Sequence, residues 1–398
     1  MATTKEVIEL YSKYVIANYK RLPRVAVRGQ GPYLWDADGR RYIDLFAGWA
    51  VTSVGHCHPR LVEAIAKQAA TLIYMPNTWH TEPQARLAEW IATTGFGGKT
   101  FFCNSGAEAV EAAIKLARIH VGKGRYKIIT FENSFHGRTF AAITATAQPK
   151  YQEGFRPLVP GFMYAPLNDL AAVERLVDEE TCAIMVEPIQ GEGGINLCDH
   201  EWLRALRELC DQRGMMLIFD EVQTGVGRCG TWWGYQVSGV VPDMMTMAKQ
   251  LGGGTAIGAL CAKPEVAASL VPGTHASTFG GNPLAAAAGC AVFEIIRDEN
   301  LLENAQRMGA YLRQRLLELK QETPLITEVR GEGLMIGAEL AQNGADLVGR
   351  CLDRGLYVNC THDTVLRIMP PLNITRDVLD EALAILVEAM RAGPAAAH

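Results

Sequence analysis

The sequence has no long run of like charge, no pair of cysteines spaced CxxC, and no apolar stretch near the ~20 residues that cross a bilayer. Net charge is −5 and no Lys/Arg cluster has the density of a nucleic-acid patch, so no nucleic-acid partner and no membrane contact are expected. The opening MATTKEVIELYSKYVIANYKRLP lacks the apolar core of a signal peptide and reads as an amphipathic helix, which predicts a cytoplasmic protein. Ten cysteines are scattered through apolar contexts such as FFCNSG and AAGCAV, a pattern of buried free thiols in a reducing compartment. There is no GxxxxGK[ST] and no GxGxxG opening a helix after a strand, which argues against a nucleotide-binding module. HCHP at 56–59 sets two histidines at alternating positions, but further ligands are missing nearby, so no metal is expected. Only the terminal GPAAAH is of low complexity.

What is present is a large core. With 48% hydrophobic residues over 398 positions, two or three closely packed domains are expected. To about residue 55, AVRGQGPYLWDADGRRYIDLFAG alternates around a DADG turn, as strands do. Over 56–294, helical stretches (HPRLVEAIAKQAATL, EAVEAAIKLARIHV) alternate with short apolar runs (KIITF, CAIMVEP, MMLIFDE, DMMTMAK). That alternation predicts an α/β unit with a mostly parallel sheet covered by helices. Over 295–398, ENAQRMGAYLRQRLLELKQ precedes the strand-like VRGEGLMIGAEL, GLYVNC and VLRIMPPL, and RDVLDEALAILVEAMRA closes a smaller α+β unit.

Ligands of open parallel sheets bind beyond the carboxyl ends of the strands, so the residues after each strand carry the chemistry. FFC leads into NSGA and a helix, placing Ser105, Gly106 and Ala107 where free N–H groups and the helix dipole suit a phosphate; a plain N-cap fits as well. MMLIF ends in Asp220, a carboxylate that needs a cation or donors once buried. A protonated ring nitrogen would serve, as would an arginine, and Gln223 follows within reach of a ring substituent. Lys249 ends the apolar MMTMA, with Gly252, Gly253 and Gly254 clearing space beside it. Shielded from water, its amine loses charge and becomes a nucleophile toward carbonyls; a lysine paired with an acid is the alternative. Ser277 and Thr278 precede a Gly-Gly-Asn-Pro turn and offer hydroxyls to a phosphate, or merely to the turn. Together these features match a phosphorylated pyridine aldehyde, pyridoxal 5′-phosphate.

The series YLWDADGRRYIDLFAG, GHCHP, NSGAEAVEAAIKLAR, FHGRT, VEPIQGEGG, FDEVQTGVGR, AKQLGGG, STFGGNP, VRGEGLMIGAEL and VLRIMPPL resembles, nearly end to end, the class III pyridoxal-phosphate aminotransferases of fold type I. The resemblance implies a large cofactor-binding domain over 56–294 and a small domain built from 1–55 and 295–398. It implies that Lys249 carries the cofactor as a Schiff base and moves protons, and that Asp220 faces the pyridine nitrogen. Ser105, Gly106 and Ala107 would hold the phosphate, Phe135 would stack on the ring, and Glu221, Val222 and Gln223 would complete the cofactor contacts. Thr278 would reach the phosphate of the other subunit of a homodimer, with Ser277 beside the substrate. Two acceptor carboxylates call for two arginines, and the resemblance supplies Arg138 and Arg367, with Glu192 covering Arg367 when a monocarboxylate donor binds. The implied reaction takes the distal amine of N2-acetylornithine to 2-oxoglutarate. Succinylornithine, ornithine, 4-aminobutyrate and N-succinyl-diaminopimelate remain open as donors. Trp79, His80 and Cys229, and the proline-free AKQLGGGTAIG, depart from the usual text and bear on the donor.

Overall fold

Seven apolar runs form the central sheet: β1 Lys99–Cys103, β2 Lys127–Phe131, β3 Phe162–Ala165, β4 Thr181–Val186, β5 Met216–Asp220, β6 Met244–Met247 and β7 Gly258–Ala262. In the computed structural model, which describes residues 3–392, their order is β1-β7-β6-β5-β4-β2-β3. The GPAAAH end lies outside the described residues. Six strands are parallel; β7 runs antiparallel to both neighbours. Every residue of β4, β6 and β7 is buried, as unbroken apolar runs require when helices cover both faces. The helix Gly106–Val121 shows how: Ala109, Val110, Ala113, Ile114 and Ala117 recur at helical spacing and are all buried. The chain is α/β, as expected; β3 and β7 were not singled out in the sequence.

Two departures matter for the rest of the chain. VRGEGLMIGAEL is not one strand but a hairpin, Ile326–Glu332 against Met335–Leu340, turning at Gly333 with φ +53°. GLYVNC is split between two sheets: Leu356–Tyr357 pairs parallel with Arg41–Asp44, while Asn359–Thr361 pairs with Val365–Ile368. The first of these pairings ties the C-terminal part to the N-terminal strands. The helix Pro283–Asp298 runs unbroken through position 294, where a domain boundary was expected.

The opening helix spans Thr4–Tyr14, started by a capping box between Thr3 and Glu6, and buries none of its residues. All ten cysteines are free; of those expected to be buried, Cys57 is exposed and Cys290 and Cys360 are half-buried. Of the HCHP histidines, His56 Nε2 lies 2.8 Å from Asp44 Oδ2 and His58 Nε2 lies 3.1 Å from Glu299 Oε1. No described helix is long and apolar enough to cross a membrane.

Candidate active site

The carboxyl ends of β1, β2, β4, β5 and β6 surround one cavity of about 430 Å³. Ser105, Gly106, Ala107, Phe135, Arg138, Asp220, Val222, Gln223 and Lys249 all line it. Nine positions spread over more than a hundred residues thus converge, as parallel topology dictates.

On the β1 side, Ser105 caps the helix Gly106–Val121 and accepts from Glu108 N–H at 3.3 Å. The turn is close-packed beneath. A Cβ on Gly258, the first residue of β7, would lie 2.3 Å from the Ser105 carbonyl oxygen. The open amides at this helix start are a ready anion seat.

Asp220 ends β5 and is buried. Its Oδ1 accepts from Thr246 Oγ1 and Val222 N–H, both at 3.0 Å, and its Oδ2 lies 2.7 Å from His136 Nδ1. Three partners fix the carboxylate and leave acceptor capacity on Oδ2 for one more donor. Burial pulls the His136 pKa down, but the bond to Asp220 and its charge outweigh burial and raise it. Neither His136 nor Thr246 was singled out in the sequence.

Lys249 follows β6 with φ +47°, a backbone strain stored at the cavity wall. Among the described residues its amine has no hydrogen bond and no ion pair, and it faces the cavity. Burial lowers its pKa; Glu192 opposes the shift and Arg367 adds to it. An unpaired amine whose charged form burial disfavours is a nucleophile and proton carrier.

Arg367, on the strand Val365–Ile368, is 1% exposed and pairs with Glu192 at 2.7 Å. The same Nη1 donates to the Gly191 carbonyl at 3.0 Å and reaches Gln223 Oε1 at 3.4 Å, and Nη2 donates to Asn359 Oδ1 at 2.8 Å. Burial would raise the Glu192 pKa, but Arg367 and Lys249 hold it below its ordinary value. Arg138 is exposed at the rim, stacked 4.0 Å from the Tyr151 ring centre and 5.4 Å from Phe135.

Other expected residues stand apart. The Glu221 carboxylate accepts from Thr224 Oγ1, Gly234 N–H and Tyr235 N–H, away from the cavity lining. Thr278 is exposed and, with Ser277, lines a separate depression of about 340 Å³. Ser277 is linked to the main cavity through Asn104, whose Nδ2 donates to its Oγ at 3.2 Å. Trp79 and His80 do not line the main cavity within this chain, and Cys229 is buried away from it.

These residues fit pyridoxal 5′-phosphate: a free amine for its aldehyde, a fixed carboxylate with acceptor capacity left for its ring nitrogen, and open amides for its phosphate. The model of the class III aminotransferases matches residues 14–390. The chain belongs to that family and is a pyridoxal-phosphate-dependent aminotransferase. It is 52% identical to the acetylornithine aminotransferase of Caldanaerobacter subterraneus subsp. tengcongensis over 94% of this chain and 96% of that one. It is 49% identical to the acetylornithine aminotransferase of Methanocaldococcus jannaschii, covering 96% and 97%. The ornithine aminotransferase of Toxoplasma gondii, in a structure with PLP partially occupying the active site, superposes with a TM-score of 0.93 at 34% identity, covering 98% and 95%.

Proposed function

We propose that the protein transfers the distal amine of N2-acetylornithine to 2-oxoglutarate, giving N-acetylglutamate 5-semialdehyde and glutamate. The observation that carries this reading is the Arg367–Glu192 pair beside the Lys249–Asp220 cavity. One buried arginine has an internal carboxylate that can be exchanged for the carboxylate of a substrate. Such a switch is what an enzyme needs if its two substrates differ in their number of carboxylates, because an unpaired buried guanidinium would penalise one of them. The relatives at 49–52% identity support acetylornithine as the donor.

Bound pyridoxal phosphate would supply an electron sink for the carbanion formed at the amine-bearing carbon. Lys249 would hold its aldehyde and, when released, carry a proton at Nζ. Asp220, steadied by His136 and Thr246, would keep the ring nitrogen protonated. Ser105, Gly106 and Ala107 would seat the phosphate, with Phe135 and Val222 enclosing the ring and Gln223 near its hydroxyl. Arg138 would take the α-carboxylate of acetylornithine or the far carboxylate of glutamate; Arg367 would take the α-carboxylate of 2-oxoglutarate.

We further propose a homodimer in which Thr278 reaches the partner's phosphate site. Two features support this: the exposure of Thr278 and an amphipathic first helix that buries nothing in its own chain. A division into a central unit and a unit made of both ends, its later boundary lying outside the helix Pro283–Asp298, is supported by the pairing of Leu356–Tyr357 with Arg41–Asp44. Ten unpaired cysteines support a reducing, cytoplasmic setting. A panel of competing donors with 2-oxoglutarate tests the activity: N-acetylornithine should turn over fastest. Equal or better turnover of 4-aminobutyrate or free ornithine would remove the assignment.

A further inference from the structure

Glu187 follows β4, is 5% exposed and lines the main cavity. Among the described residues it has no ion pair. Its two oxygens are divided between two loops: Oε1 accepts from Phe135 N–H at 2.8 Å and Oε2 from Gly191 N–H at 3.1 Å. The first loop carries the cavity wall and Arg138. The second carries Glu192, and its Gly191 carbonyl accepts from Arg367. A buried carboxylate without a counter-ion is costly. A side-chain amide could not replace it, because an amide offers one acceptor and would set its NH2 against the second N–H.

We infer that Glu187 is a positioning residue whose ionised carboxylate clamps the Phe135–Arg138 loop to the loop bearing the Glu192–Arg367 pair. The clamp thereby sets how tightly the acceptor's two carboxylates are held. The inference rests on the proposed roles of Arg138 and Arg367. Burial raises the Glu187 pKa to about 7. The charges around it are His136, which lowers it, Asp220, which raises it, and Lys249 across the cavity; the Cys198 thiol touches its carbonyl. As pH falls through about 7, protonation sets an O–H against one of the two amides and frees one loop. The dicarboxylate acceptor should then bind more weakly, while the donor, which does not use Arg367, changes less.

The test is Glu187→Gln in the holoenzyme, with kcat and KM for both substrates and direct 2-oxoglutarate titration over about two pH units centred on neutrality. KM for 2-oxoglutarate should rise about tenfold, the worth of one hydrogen bond to a charged group, and lose its pH dependence. KM for the donor, which uses Arg138 but not Arg367, should rise less than KM for 2-oxoglutarate. Wild-type values and wild-type pH dependence in Glu187→Gln would overturn the inference, as would equal losses for both substrates. If the variant does not fold, the unmodified enzyme decides: 2-oxoglutarate affinity that is flat across neutral pH overturns the clamp. An Arg367→Ala variant with unchanged 2-oxoglutarate KM would instead remove the parent reading.

Discussion

Removing Glu192 should separate the two half-reactions. In the structure its carboxylate is the only countercharge within 4 Å of Arg367 among the described residues. The guanidinium is 1% exposed, so Glu192→Ala leaves a buried cation. Breaking such a pair costs ~3–5 kcal/mol when nothing else solvates the charge. Here the Gly191 carbonyl, Asn359 Oδ1 and Gln223 Oε1 still accept from it. Neutral acceptors recover part of the loss, which leaves ~2 kcal/mol, about 30-fold. The acceptor half-reaction escapes this cost, because the carboxylate of 2-oxoglutarate replaces the lost charge without first displacing Glu192. Because the free variant and its donor complex carry this cost alike, single-turnover rates should show kcat/KM for the donor nearly unchanged while that for 2-oxoglutarate, whose carboxylate relieves the cost on binding, rises by up to about 30-fold. Thermal melting should show the same sign: the variant melts below the parent alone and recovers more than the parent does when 2-oxoglutarate is added. Equal changes in both half-reactions would refute the switch and leave the pair as a structural bridge.

Lys249→Met should abolish the visible absorption of covalently held cofactor and the peptide label left by borohydride reduction; a surviving label on another peptide would displace Lys249 from its role. The same variant carries a pH signature in the apoprotein. Burial lowers the lysine pKa below its ordinary 10.5, so the folded state binds fewer protons than the unfolded state over that interval. Urea stability of the parent apoprotein should rise with pH there, and Lys249→Met should lack that slope. Gly258→Ala places a Cβ 2.3 Å from the Ser105 carbonyl oxygen. The displaced turn should cost ~1–3 kcal/mol and about tenfold in phosphate-dependent cofactor affinity, measured by equilibrium dialysis. Mixing Lys249→Ala and Thr278→Ala subunits should restore one intact site per mixed dimer; activity no greater than the sum of the parents would argue that Thr278 serves its own chain.

Asp220 and Lys249 were legible at their strand ends because a charged residue that closes an apolar run is conspicuous, and a buried charge needs a partner. Ser105 was legible as a small polar residue before an apolar helical period. His136 and Glu187 were not legible. Each also follows a strand, but their partners Asp220 and Phe135 lie 84 and 52 residues away in sequence. They meet because β2, β4 and β5 are neighbours in the sheet order, so the loops that follow them share one edge. An apolar run carries no mark of its position in that order, or of its direction. The antiparallel GALCA of β7 looks like any buried strand, yet it brings Gly258 under the phosphate turn. The first helix shows the opposite limit: its amphipathic face is plain in the sequence, but none of its residues is buried against the described part of its own chain. Sequence therefore nominates the residues at the mouth of the sheet one loop at a time. Which of them share a proton or a hydrogen bond is a property of strand order, and that is why the His136–Asp220 pair and the two-loop grip of Glu187 become visible only in three dimensions.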